Sequence, residues 1–196
     1  STIAVFGSAS RISETTPERP QTYYGSSKLK ADKELVAMND REFKAAIIRP
    51  PMAYGGGMAP GNMLRLIRLV NKHIPLPFGS ARNSRDFINV KNLVEFIHLA
   101  VEKEVEGVFY PTDKVPYSTR NVVEEISRQL GVHTINLPSP SIFLKLIEKV
   151  RPDLYQKLWG DVVIDRQLAL SAIGYEPRYT LEDGIREMVE SFKRQK

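Results

Sequence analysis

The stretch Tyr24-Gly25-Ser26-Ser27-Lys28 opens a segment, Tyr23 to Asn39, whose apolar positions Leu29, Leu35, Val36 and Met38 fall among charges as in a helix. A tyrosine and a lysine four apart on a helix share one face, with Cβ atoms roughly 5–6 Å apart. A free phenol titrates near 10, too high for a base at neutral pH, and a cation within about 4–6 Å favours the ionised form by roughly 1–3 units. The Lys28 ammonium can be that cation. A packed Tyr24 and a merely solvated Lys28 are the commoner meaning of an isolated Y-x-x-x-K, so the surrounding chain has to decide.

Upstream, Ser1 to Phe6 is small, β-branched and apolar and stops at Gly7-Ser8, which predicts a strand and a turn. Residues Gly7 to Gln21, rich in Ser, Thr, Glu and Pro, predict a loop. Downstream, Ala45 to Ile48 is a short apolar run of the kind covered on both faces of a sheet, ended by Arg49-Pro50-Pro51, where proline cannot donate to a ladder. A loop, Met52 to Gly61, carries Gly55-Gly56-Gly57 and leads into a helix from Asn62 to Val70. Short strands are expected at Ile74 to Phe78, Phe87 to Val90 and Gly107 to Tyr110. Helices are expected at Lys91 to Lys103, with Leu93, Phe96, Ile97 and Ala100 inward, and at Asn121 to Leu130, opened by Ser118-Thr119 and closed by Gly131. Four more follow: Ser141 to Val150, Asp153 to Trp159, Asp165 to Ile173 and Leu181 to Arg194. Alternating strands and helices argue for an α/β fold with some parallel pairing. No internal repeat or low-complexity stretch occurs.

Composition narrows the chemistry. The absence of cysteine excludes disulfides, thiol nucleophiles and thiolate metal sites, and His73, His98 and His133 show no ligand spacing, so no metal is expected. The longest apolar stretches, such as Ile142 to Val150, are broken by charges and are too short to span a bilayer. The N-terminus has neither an initiator Met nor the regions of a signal peptide. The net charge of +5 is mild, and no basic stripe interleaves with aromatic residues, so nucleic-acid binding is discounted. A dinucleotide-binding sheet begins with a strand, a G-x-G-x-x-G turn, a helix and an acidic residue about 20 positions on. None of these is present, and Gly55-Gly56-Gly57 does not follow the pattern.

Four ordered motifs nevertheless agree: Ser1-Thr2-Ile3-Ala4-Val5-Phe6-Gly7, Tyr24 to Lys28, Arg49-Pro50-Pro51-Met52-Ala53-Tyr54-Gly55, and Ser84-Arg85-Asp86-Phe87-Ile88-Asn89-Val90. Their order and spacing resemble the extended short-chain dehydrogenase/reductases, and more narrowly the NAD-dependent epimerase/dehydratase branch acting on nucleotide sugars. The likeness is greatest to 4-epimerases and 4-reductases of UDP-sugars used for surface polysaccharides. It runs nearly to the end, where Gly174-Tyr175-Glu176-Pro177 resembles that group's G-[WY]-x-P ending.

The resemblance implies a partial Rossmann-like parallel sheet whose first strands and glycine-rich turn lie upstream of Ser1, joined to a small C-terminal α+β substrate domain. Residues 1–50 would be the remainder of the NAD-binding domain with the Tyr/Lys helix, and 51–196 mostly a sugar-nucleotide domain, with 86–103 returning to the sheet. It implies a cytoplasmic enzyme, a UDP-sugar or similar nucleotide sugar as substrate, no nucleic-acid or membrane partner, and a homodimer formed through the Tyr24 helix and its neighbour. The cofactor would be NAD, with NADP left open because the residue reading the ribose 2′ position lies upstream.

By the same resemblance Tyr24 is the catalytic acid or base, Lys28 lowers its pKa and bonds the nicotinamide ribose, Thr2 bonds the reacting sugar hydroxyl, and Pro50 borders the cofactor. Ser8 and Ser10 compete with Thr2, which is preferred because Val5-Phe6-Gly7 fixes the register. Asn62 would meet the diphosphate at its helix N-terminus, where it also suits a cap. Arg85 would clamp the diphosphate, the alternative being an ion pair with Asp86. Phe78 would lie against the uracil ring, the alternative being a core phenylalanine. Arg82 and Tyr54 are weaker candidates. Met52 stands where classical epimerases place an Asn, which favours the reductase-like members. A hydroxysteroid-dehydrogenase-like enzyme and a non-catalytic sugar-nucleotide-binding module are the other readings. Without the glycine-rich turn, the 196 residues alone are not expected to turn over substrate.

Overall fold

A computed structural model describes residues 1–57, 61–170 and 173–195. Met58 to Pro60 of the expected glycine-rich loop, and Ser171-Ala172 of the expected helix 165–173, lie outside the described residues. The chain forms two compact units: residues 1–53, 86–115 and 162–178, and residues 54–85, 116–161 and 179–196.

The first unit is built on short parallel pairings. Strand β1 (Arg11–Ile12) pairs with β6 (Val163–Ile164), Ile12 opposite Ile164, and β2 (Ala46–Ile48) pairs with β5 (Gly107–Phe109), Ile47 opposite Val108. A third pair joins β3 (Met52–Tyr54) to the wholly buried β4 (Phe87–Asn89). The expected loops 7–21 and 52–61 thus each contain a strand. Pro50-Pro51 interrupts the ladder without ending the extended chain: Arg49 N still donates to Phe109 O at 2.8 Å before the prolines, and β3 begins after them.

The expected strand Ser1 to Phe6 is instead a 3₁₀ turn, Ile3–Phe6. Its flanks override β propensity: the Thr2 hydroxyl accepts from Ala4 N at 3.2 Å, and Gly7, at φ 63°, closes the turn by donating to Ala4 O. A side chain at Gly7 would place Cβ 2.4 Å from Arg19 O, so only glycine fits there. Helix α1 (Tyr23–Ala37) follows, capped by Thr22, whose hydroxyl accepts from Gly25 N. Val5, Phe6, Ile12, Leu29 and Ile164 form one core cluster. Helix α3 (Val90–Glu102) buries Phe96 and Ala100 with Phe109, Ile173 and Tyr175 in another, while Ile97, expected inward, is exposed. Helix α7 (Arg166–Leu170) is short.

The second unit is mostly helical. Helix α4 (Thr119–Leu130) has the expected Ser118 cap and left-handed Gly131 terminus, and it packs against both α2 (Asn62–Asn71) and α8 (Leu181–Arg194). Met63, Leu64, Ile67 and Val70 of α2, Val122, Val123 and Ile126 of α4, and Ile185, Met188, Val189 and Phe192 of α8 are its buried apolar faces. Helices α5 (Ser141–Val150) and α6 (Pro152–Leu158) pack on each other. The strand expected at Ile74 to Phe78 reduces to one bridge, Leu76 to Asn136: Leu76 exchanges backbone bonds with Ile135 and Leu137, but Phe78 N donates to the Asn136 side chain and not to a backbone carbonyl.

Candidate functional site

In the first unit, backbone packing gathers the expected catalytic residues. Gly25 lies where α1 meets the 3₁₀ turn, and a Cβ there would stand 2.7 Å from Ala4 O and 3.1 Å from Pro20 Cβ. The glycine between Tyr24 and Lys28 therefore lets helix and turn approach closely. Ile3 N donates to Pro50 O at 3.3 Å, which ties the turn that begins at Thr2 to the Arg49-Pro50 segment. Thr2, Pro50 and the first turn of α1 are held as neighbours through backbone contacts.

Tyr24 sits in that first turn with 56% of its surface exposed, and Lys28 Nζ lies 5.9 Å from the centre of its ring. That is within cation–π range. Among the described residues no ion pair engages Lys28, so both the phenol and the ammonium are available to a ligand.

One turn further along α1, Asp32 is buried and accepts from Arg49 Nε at 2.9 Å and from the Ser1 hydroxyl at 2.7 Å. Arg49 also pairs with Glu18 at 2.7 Å and lies 5.5 Å from the Phe6 ring centre. Burial opposes its charge, but the bonds to Glu18 and Asp32 outweigh that and raise the guanidinium above its ordinary value. This network fixes the rotation of α1 about its axis and so the direction in which Tyr24 and Lys28 point.

In the second unit, Asn62 is exposed and is the first residue of α2. It is not the side-chain cap expected of it: the cap position is Gly61, and no side chain bonds the helix end. Phe78 is 3% exposed and packs against Trp159 at 5.2 Å between ring centres, so its ring belongs to the core. Arg85 does not pair with Asp86. Its Nη1 donates to the Gln156 and Gly160 carbonyls at 2.8 and 2.7 Å, and burial pushes the guanidinium below its ordinary value, with Asp161 opposing. In the first unit, Asp86 accepts from Ile164 N at 2.7 Å and pairs with Arg166. A polar depression of about 520 Å³ in the second unit is lined by Arg82, Asn83, Ser84, Tyr117 and Arg120.

The family model for the NAD-dependent epimerase/dehydratase family matches residues 1–110. The chain belongs to this family. It is similar to a UDP-glucose 4-epimerase of Vibrio cholerae, 35% identical over 179 residues, and it spans 88% of itself but about half, 54%, of that curated relative. Among solved structures it is similar to a UDP-glucuronic acid 4-epimerase from Bacillus cereus in complex with NAD, at TM-score 0.76 and 22% identity, covering 99% of this chain and 60% of that one. It is also similar to a dTDP-glucose 4,6-dehydratase from Bacillus anthracis in complex with NAD, at TM-score 0.73 and 21% identity, covering 100% and 61%. These neighbours bear out the expected α/β, Rossmann-like fold.

As a member of the epimerase/dehydratase family the chain has features that sequence reasoning passed over. Asp32 and Glu18, which orient Arg49, carry no local signal because their partner is distant in sequence. Asn136 and the single Trp159 flank Phe78: Asn136 Oδ1 accepts from Phe78 N at 3.0 Å, while Asn136 Nδ2 and Trp159 Nε1 are buried without a partner among the described residues. A lone tryptophan in a charged segment was the one visible hint.

Proposed function

We propose that this chain supplies the Tyr/Lys helix and the nucleotide-sugar-binding unit of an NAD-dependent 4-epimerase or 4-reductase of UDP-sugars, one serving the synthesis of surface polysaccharide. The observation that carries this reading is the exposed Tyr24–Lys28 pair at the head of α1, held against the Thr2 turn by a glycine contact. The residues fit the nicotinamide end of NAD: an available ammonium suits a ribose hydroxyl, and Pro50 is tied by its carbonyl to the Thr2 turn. NAD bound there would accept hydride from C4 of the sugar.

The chain's own residues would do the rest. Thr2 would orient the C4 hydroxyl, Lys28 would hold the Tyr24 phenol in its ionised form, and that phenolate oxygen would take the hydroxyl proton, becoming a neutral phenol, as hydride leaves C4. An epimerase would return hydride to the other face of the 4-keto sugar, and a reductase would release the alcohol formed from a ketone. Met52 favours the reductase branch. The sugar diphosphate would meet the end of α2 at Asn62, where helix N–H groups favour anions, with Arg85 adding positive charge. Phe78 would shape the base subsite from within the core. A homodimer would form along α1, whose Leu35 and Val36 are exposed, as is Met38 just past its end.

The test is Tyr24→Phe in the full-length gene product, with UDP-glucose as the probe. Turnover should fall by about 10²–10⁴ while UDP affinity is retained. Unchanged turnover would overturn the assignment of Tyr24.

A further inference from the structure

Helix α5 carries an apolar ridge that the second unit does not use. Ile142, Leu146 and Val150 recur every fourth residue along one side and are 81%, 59% and 64% exposed, and Leu154 of α6 continues the exposed apolar surface. Lys145 and Lys149, both exposed and engaged in no ion pair among the described residues, lie on the flank of the same ridge at helical spacing. Half-buried Leu144 and Ile147 lie on the other side of the helix. From residue 141 to 158 the chain carries Lys145, Lys149, Arg151 and Lys157 against Glu148 and Asp153, and Glu148 is on the side of α5 away from the ridge.

We propose that the α5–α6 hairpin docks on an anionic lipid surface, with Ile142, Leu146 and Val150 entering the headgroup boundary and Lys145 and Lys149 meeting acidic headgroups. The composition of the ridge selects this occupant. Protein interfaces are enriched in aromatic residues and arginine and depleted in lysine, whereas this ridge is aliphatic and edged by lysine. An aliphatic stripe with basic residues on its polar flank is the pattern of a helix lying in the membrane interface. The hairpin lies on the bilayer rather than crossing it, since no described helix is long and apolar enough to span. The proposal departs from the expectation of no membrane partner and is independent of the catalytic reading.

The experiment is co-sedimentation of the 196-residue chain with phosphatidylcholine vesicles and with phosphatidylcholine–phosphatidylglycerol vesicles at low and raised salt. The chain should partition onto the acidic vesicles only, and raised salt should weaken it. Lys145→Gln with Lys149→Gln should lower the partition coefficient on the order of thirtyfold. Ile142→Ser with Leu146→Ser should remove binding while the far-UV circular dichroism of both variants matches the parent. No binding to acidic vesicles, equal binding to neutral ones, or insensitivity to either pair of substitutions would overturn the proposal. So would self-association of the chain that is lost in Ile142→Ser/Leu146→Ser, which would assign the ridge to a second copy.

Discussion

Arg49 Nε donates to Asp32 Oδ2 at 2.9 Å, and both side chains are almost fully buried. Removing one member of a buried pair leaves the other charge without compensation, which costs about 3–5 kcal/mol. Arg49→Met should therefore lower the unfolding free energy by about that amount, read from the urea midpoint. Exchanging both residues for apolar ones of similar size should cost much less.

Gly25→Ala opposes two effects of different size. In a free helix alanine would gain about 1 kcal/mol over glycine. Here the new Cβ would stand 2.7 Å from Ala4 O, a backbone atom that can yield only if the 3₁₀ turn moves. Overpacking of this kind costs about 1–3 kcal/mol. The variant should melt lower than the parent despite its better helix propensity, and a higher melting temperature would refute the close packing.

Asp183 gives a pH signature. Thr180 N and its hydroxyl donate to Asp183 Oδ2 at 2.9 and 2.8 Å, and these bonds, with Arg186 beside it, hold the carboxyl below its ordinary value. A carboxyl depressed in the folded state contributes stability above its unfolded pKa, about 3.9, and that contribution is lost as pH falls through the folded value. Asp183→Ala should cost about 1 kcal/mol at pH 7 by losing the capping box of α8. The gap to the parent should narrow below about pH 4 in denaturation curves taken across pH.

Arg85 separates a structural from a binding role. Lysine keeps the charge but is a shorter side chain than the one whose Nη1 reaches both the Gln156 and Gly160 carbonyls, and its ammonium is more strongly hydrated than the guanidinium it would replace at this half-buried site. Arg85→Lys should lower the melting temperature, and Arg85→Gln should lower it at least as much. If the side chain also grips a diphosphate, UDP affinity measured by calorimetry should fall further in Arg85→Gln than in Arg85→Lys.

Much of the fold was legible where local chemistry decides it. The Ser118 cap and Gly131 terminus mark α4, and the apolar spacing in 181–194 marks α8, because caps and period act within one helix. The Tyr24–Lys28 pair was legible for the same reason. What escaped depends on distant partners. β1 is two residues of loop-like sequence made into a strand by residues 163–164, and the 3₁₀ turn is set by Thr2 and Gly7 against β-branched neighbours. Asn62 has the right type for a cap, but Gly61 holds that position. Phe78 is drawn into the core by Trp159, some eighty positions away, and no spacing rule reaches so far.

The two units are interleaved along the chain, which passes between them at 53/54, 85/86, 115/116, 161/162 and 178/179. Synthesis proceeds from the N-terminus, so Arg11 and Ile12 emerge long before the strand at 163–164 that pairs with them. The first unit cannot close before residue 178 is made, nor the second before α8, and neither can be excised as one continuous piece. A nascent chain therefore exposes two half-built cores until residues 162–178 and α8 have been made, and over that interval both cores are open to association with neighbouring chains.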